Sequence, residues 1–243
     1  MLLRNKLLAC VLLTMVSAVN AVPIHVNDRT SLAANDFVDW GAFGPAFTLV
    51  PDGSTVNSAE GNTITVSNTT EPGTPFRVFQ QVPPVVTGFW NGNFAPGDRV
   101  LAPNGRPGAT LIQFSTPVLG AGAQIQGGSI LNTPFTAILD VTGIDGLTYS
   151  FSATGISTAD ANNSAIFLGV LNDVPNIVSI QYSISGLAAT DNGPGINRLD
   201  IRSVPEPKSL FLFLIGILAL WMARQKLVRV KSSPEQKWLV CCS

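Results

Sequence analysis

The sequence predicts an all-β fold, a jelly-roll-like antiparallel β-sandwich, held between an N-terminal secretion signal and a C-terminal membrane helix. Three observations predict it. Between Asp36 and Arg202, short runs of β-branched and aromatic residues alternate with Gly, Pro, Asn and Asp, the pattern of short strands joined by turns. The same stretch has no Lys, only two Glu and no sustained 3.6-residue apolar period, which argues against amphipathic helices. The two long apolar runs, Leu7 to Val16 and Leu210 to Ala223, lie at the ends beside basic residues.

Taken in order, Arg4 and Lys6 precede the first apolar run, and Val19-Asn20-Ala21 closes it. A charged n-region, an apolar h-region and a small-residue cleavage site make residues 1–21 a secretory signal peptide, cut after Ala21 or, alternatively, after Ala18. Residues 22–35 read as an N-terminal extension with no sign of order, and residues 36–202 as the sandwich. Early strands are expected at Phe37 to Trp40, Phe47 to Val50, Asn62 to Ser67, Phe76 to Gln80, Ala109 to Ser115 and Ala123 to Gln126. The later ones alternate clearly. Phe135, Ala137, Leu139 and Val141 share one face, with Thr136 and Asp140 on the other. Then come Leu147, Tyr149, Phe151 and Ala153; Ile166, Leu168 and Val170; Val178, Ile180, Tyr182 and Ile184. A closing strand carries Ile196, Leu199 and Ile201. Ile144-Asp145-Gly146 is a hairpin signal between two of these strands.

The exported stretch from Val22 to Ser203 holds six arginines, no lysine and thirteen carboxylates, a net charge of −7 hidden within the whole-chain value of −1. Such a surface excludes nucleic acid, which needs a basic footprint. Cysteine occurs only at positions 10, 241 and 242. The exported domain therefore has no disulfide, no catalytic thiol and no thiolate metal site, and relies on its core.

At the C-terminal end, Val204-Pro205-Glu206-Pro207 stops regular structure, because proline fixes φ and lacks an N–H. The uncharged run Leu210 to Ala223 follows, then Arg224, Lys226, Arg229 and Lys231. Fourteen helical residues span about 21 Å, short of a hydrocarbon core of about 30 Å, a mismatch that snorkelling or local thinning accommodates. The basic flank orients the helix with its end in the cytoplasm. A buried core helix is the alternative reading of a run this short.

This order of parts resembles the PEP-CTERM sorting signal, also described as an ice-binding-protein C-terminal motif, of exported proteins in Gram-negative bacteria. The residues that carry the resemblance are Val204, Pro205, Glu206 and Pro207, the apolar helix and the basic stop at Arg224. It implies a sorting signal over residues 203–226, a partner that is an exosortase-type membrane protease or transpeptidase, transient anchoring in the inner membrane, and delivery to the cell surface or extracellular matrix among exopolysaccharide. Family members normally end soon after the basic cluster, whereas this chain continues as a cytoplasmic tail over 227–243. The run from Phe167 through Ile184 to Ile201 is similar to the last strands of jelly-roll ectodomains in such proteins, which implies a final strand lying beside the first.

Little in the sequence favours a reaction. The sole histidine, His25, lies in the extension, where a serine triad could not hold it. Carboxylate pairs of the glycosidase kind remain open, but most Asp residues adjoin Gly or Asn, as turns prefer. No catalytic residue, resident metal or cofactor is expected. Oxygen ligands at Ser157 to Asn163, at Asp140 with Asp145 and at Asp191-Asn192 would suit calcium, although turn chemistry explains the same residues. The unusual loop is Gly88 to Asp98, in which Trp90, Asn91, Asn93 and Phe94 combine aromatics with amides. Exposed, they would stack on sugar rings and bond hydroxyls. Turned inward, Trp90 and Phe94 would plug one end of the sandwich, and that is the expectation. The sequence as a whole reads as an exported structural or adhesive component of a polysaccharide-rich envelope. The alternatives are a carbohydrate-binding module and a glycosidase-like enzyme.

Overall fold

A computed structural model describes residues 22–82, 90–104, 108–127, 132–185 and 193–204, together with Ile217. The chain divides into two units, Met1–Val204 and Pro205–Ser243, and the described sheets belong to the first. Among the described residues no helix is long and apolar enough to cross a membrane. The segments read as signal peptide, membrane run and tail lie outside them, Ile217 excepted.

The strands are β1 (Ile24–Val26), β2 (Asp36–Val38), β3 (Leu49–Val50), β4 (Ser54–Asn57), β5 (Thr63–Asn68), β6 (Phe76–Gln80), β7 (Arg99–Pro103), β8 (Thr110–Val118), β9 (Gly120–Gln126), β10 (Thr133–Gly143), β11 (Thr148–Ser157), β12 (Ile166–Leu171), β13 (Ile177–Ser185), β14 (Gly195–Ile196) and β15 (Leu199–Arg202). Helix α1 (Arg29–Leu32) and a 3-10 turn at Trp40–Phe43 are the helical pieces among the described residues of the first unit. One sheet runs β11-β10-β13-β8-β5-β4; the other runs β1-β12-β9-β14-β7-β6-β3, with β15 pairing β9 and β2. All these pairings are antiparallel. The two sheets pack as a sandwich, and the chain crosses between them repeatedly from β3 onwards.

The period-two patterns fill the space between the sheets. Ile64, Val66, Ile112, Phe135, Leu139, Ile180 and Tyr182 come from the six-stranded sheet, and Phe76, Leu101, Ile125, Leu168, Ile196 and Ile201 from the nine-stranded one; all are buried in one cluster. Tyr182 ties the layers by donating its hydroxyl to the carbonyl of Leu168 at 2.9 Å. Complete burial pushes its pKa above the ordinary phenol value, because the ionised form would have no water.

Several boundaries differ from expectation for local reasons. Phe47 is not in a strand: it occupies the left-handed region at φ 73°, and pairing begins only at Leu49. Strand β13 shifts register against β10, where Ile177 and Ser179 stand opposite the adjacent Gly143 and Thr142, so Ile177 enters the core and Val178 does not. That is the two-against-one geometry of a bulge. Leu147, expected on a core face, is exposed beside the turn at Gly146, where φ is 77°. Strands β4 and β7 were not anticipated. The extension is also more ordered than its composition suggests. Ile24–Val26 pairs with Leu171–Gly169, and Asp28 caps α1 by accepting from Ser31 N at 2.8 Å. His25 stacks on Phe151 at 5.9 Å. The closing strand lies beside β2, with Leu199 opposite Val38. Asn35 and Ser203 clasp this join, Ser203 N donating to Asn35 Oδ1 at 2.8 Å and Asn35 Nδ2 to Ser203 O at 3.1 Å.

Candidate functional site

The outer face of the nine-stranded sheet is covered by protein, and β9 shows how. Its inward residues, Ala121, Ala123 and Ile125, join the core. Its outward residues are Gly120, Gly122, Gln124 and Gln126, and the whole strand is buried. The glycines make room. A Cβ on Gly122 would come within 2.5 Å of the Phe167 ring, and one on Gly120 within 2.9 Å of the Leu32 side chain. Leu32, Phe167 and Val26 form a small second core there.

The aromatic loop covers the rest. Trp90 is 7% exposed, Asn93 3% and Phe94 0%; of the four residues singled out in the sequence, only Asn91 is exposed. Trp90 and Phe94 are turned inward, yet they lie on the outer face of this sheet, against Val100 and Ala102 of β7, instead of plugging an end. Trp90 lies over Gly195, where a Cβ would meet the indole at 2.4 Å. Its ring follows Phe79 at 5.6 Å and precedes Phe94 at 6.1 Å. The stacking faces are thus used within the protein. Gln126 Oε1 accepts from Trp90 Nε1 at 3.3 Å and from Asn93 N at 2.8 Å. The Asn93 amide donates to Ile156 O at 3.0 Å and accepts from Thr158 N at 2.7 Å, so it pins this loop to the one after β11. Phe89 lies outside the described residues.

Beside the loop is a buried polar network that sequence reasoning missed. Asn197 Nδ2 donates to Gln124 Oε1 at 2.7 Å and to Asp98 Oδ2 at 2.8 Å, and its carbonyl accepts from Trp40 Nε1 at 2.7 Å. Asp200 is buried between Arg29 and Arg198, with Arg198 Nη2 at 2.8 Å. Burial lifts the Asp200 pKa above the ordinary carboxylate value, against the opposing pull of the two guanidinium groups. The signal was present in outline: an Asp between Leu199 and Ile201 is out of place in a core strand unless it is paired. The other buried carboxylate, Asp36, accepts from Ser58 Oγ, Phe37 N and Glu60 N at 2.6–2.8 Å. Both acids serve the architecture.

The oxygen-rich turns are likewise engaged locally. Thr158 Oγ1 donates to Asp160 at 2.8 Å, Ser164 N to Asn162 at 3.1 Å, and Leu147 N to Asp145 at 3.0 Å. Among the described residues no group of three or more His, Cys, Asp or Glu is placed to hold a metal ion. Asp191 and Asn192 lie outside them.

Among the described residues nothing covers the outer face of the six-stranded sheet. Its outward positions are Thr148, Ser150, Ser152, Thr154 and Ile156 on β11; Pro134, Thr136, Ile138, Asp140 and Thr142 on β10; and Ser179, Gln181, Ser183 and Ser185 on β13. Leu111, Gln113 and Ser115 on β8, Thr63, Thr65 and Ser67 on β5, and Thr55 and Asn57 on β4 complete it. Asp140 is the one charge among these. The register aligns them in rows. Thr148, Thr142, Ser179, Gln113, Thr65 and Thr55 stand opposite one another across all six strands, about 24 Å at a strand spacing of about 4.8 Å. Every member has a hydroxyl or an amide, and the hydroxyls of Thr142 and Thr148 are 3.1 Å apart. The next row sets Asp140 between Ser150 and Gln181. A face this poor in charge donates and accepts hydrogen bonds without a strong field, and its chemical match is a surface of neutral hydroxyls.

No family profile matches the chain, and no curated protein matches it. Among solved structures it is similar to mutants of CBM29-2, a family 29 carbohydrate-binding module. One is 13% identical, covering 54% of this chain and 96% of that one with a TM-score of 0.27. Another, complexed with cellulohexaose, is 15% identical over 53% and 91%, also with a TM-score of 0.27. The enzymatically active domain of tailspike protein 4 of bacteriophage CBA120 is 14% identical, covering 68% of this chain and 21% of that one at a TM-score of 0.26. Likenesses of this strength assign the chain to no family and carry no argument about its activity.

Proposed function

We propose that this chain is an exported, jelly-roll-like β-sandwich that adheres to neutral polysaccharide through the outer face of its six-stranded sheet. The observation that carries the reading is the row from Thr148 to Thr55, a line of uncharged donors and acceptors crossing every strand of an uncovered face. A hydroxyl meeting a hydroxyl loses little on leaving water if each bond is replaced, and many such contacts along a chain add through avidity. Asp140 supplies a carboxylate that accepts from two neighbouring hydroxyls, with Ile138 and Leu111 as apolar patches beside it. In this reading the loop holding Trp90, Asn93 and Phe94 is scaffold, and Asn91 contributes only at its rim. The protein binds without turning its ligand over.

The test is retention on an insoluble neutral polysaccharide. The wild type should be retained, and Thr65→Val with Thr142→Val, which removes two hydroxyls at nearly constant shape, should weaken retention about tenfold or more while leaving the melting curve unchanged. No retention on any neutral polysaccharide tried would overturn the reading. Release of soluble sugar abolished by a single Asp substitution would replace it with an enzyme.

The cellular setting follows from the sorting signal. An exosortase-type enzyme recognises Val204, Pro205, Glu206, Pro207 and the basic stop at Arg224 in a membrane-held precursor, and the domain passes to the surface beside exopolysaccharide. Mass spectrometry of surface protein should begin near Val22 and lack peptides from Leu227 to Ser243. Recovery of Lys237 to Ser243 in the mature form would show a chain that keeps its tail.

A further inference from the structure

We infer that β11 is a self-association edge, at which a second copy of this chain adds its own β11 antiparallel and joins two six-stranded sheets into one. Among the described residues β10 is the only strand partner of β11, so the far side of β11 presents a line of backbone N–H and C=O groups. The ends of the sheets are otherwise kept short. Strands β1 and β2 have three residues each, β3 two and β4 four, which leaves little to template a new strand. Strand β11 has ten. It pairs with β10 over its length without a register shift, so no bulge twists it away, and it contains neither proline nor any charged residue. Among the described residues none of the usual protections of an edge is present.

The occupant is a second copy because the strand is complementary to itself. The exported stretch has a net charge of −7, so copies repel one another in general, yet this edge sets no like charges opposite each other. Residues directly opposite in an antiparallel pair share a face. A two-fold axis through Ser152 therefore sets Ser152 against itself and Ser150 against Thr154 on the hydroxyl face, and Phe151 against Ala153 on the inner face. It also sets Thr148 against Ile156, which is 53% exposed in the single chain. The charged hairpin residue Asp145 falls at opposite ends of the pair. This inference does not depend on the glycan reading, since it concerns the edge and not the face.

Sedimentation of the full chain without polysaccharide tests it. At about 100 µM, where a dissociation constant of about 10 µM leaves mostly dimer, the wild type should sediment as a dimer and dissociate on dilution. Ser152→Lys places two cations side by side across the axis and should weaken the dimer about tenfold or more, with an unchanged circular dichroism spectrum. Mixing the Ser152→Lys and Ser152→Glu chains should restore dimers as a heterodimer. A wild type that is monomeric throughout, or a Ser152→Lys chain that dimerises as well as the wild type, would overturn the inference. Both outcomes can be told apart from failure on the polysaccharide column.

Discussion

The two outer faces of this sandwich began from the same physical problem and reached opposite solutions. On the nine-stranded sheet, β9 alternates Gly120, Gly122, Gln124 and Gln126 outward, and other parts of the chain lie on it. Glycine lets the Phe167 and Trp90 rings approach the sheet closely, and the two glutamines meet loop amides and carbonyls. On the six-stranded sheet, β11 alternates Thr148, Ser150, Ser152 and Thr154 outward, and none of the described residues covers the face. A side chain that satisfies itself with solvent needs no cover, whereas a strand of glycine and amide does. Aromatic residues in a loop therefore say less about a binding site than the small residues beneath them.

Substitutions break or sharpen that contrast, and the largest effect is expected at the covering loop. Trp90→Ala or Phe94→Ala should destabilise the fold by about 3–5 kcal/mol in urea melts, as deletion of a buried aromatic does. Gln113→Ala on the bare face should stay within about 0.5 kcal/mol, as surface changes do. Equal effects at Trp90 and Gln113 would remove the distinction between the faces.

Adding volume should separate them next. Gly122→Ala would drive a methyl into the Phe167 ring and should cost about 1–3 kcal/mol, the usual effect of overpacking. Ser152→Ala, at an open position of β11, should change stability hardly at all in the same assay.

Tyr182→Phe probes the seam between the layers. Losing the bond to Leu168 O should cost about 1 kcal/mol, measured as a shift in urea midpoint at constant slope.

The smallest effect is a pH dependence from the covered side. Burial raises the folded pKa of Asp200 above the unfolded value of about 3.9. Between those two values the folded state holds more proton than the unfolded one, so this group makes stability fall as pH rises through the window and rise on acidification. Thermal melts across mildly acidic pH should show that slope in the wild type and a flatter profile in Asp200→Asn. Wild-type stability that instead rises with pH relative to Asp200→Asn would show that the two arginines dominate the carboxylate.

Part of this architecture was legible because strand alternation is local. Phe135, Ala137, Leu139 and Val141 read as one face and form one, and the Asp145-Gly146 hairpin falls where expected. The misses share a cause. Strands β4 and β7 have weak alternation and exist through their pairing, β4 with its hairpin neighbour β5 and β7 with β6 and the distant β14. The extension that holds β1 and α1 had no signal of its own; pairing with β12 orders it. Inward packing of Trp90 and Phe94 followed from their size, but the surface that receives them did not.

By itself the sequence determined the all-β class, the core periodicity, and the acidic, lysine-free and cysteine-free composition from Val22 to Ser203, because these rest on composition and on neighbours two residues apart. Tertiary structure alone decided that Gln124, Asn197 and Asp200 meet in one network, that Trp90 lies on Gly195, and that hydroxyls from six strands align into a row. Register is a relation between segments far apart in the chain, set by how both buried faces fit at once. Shifting a strand by one residue would turn the same hydroxyls into the core.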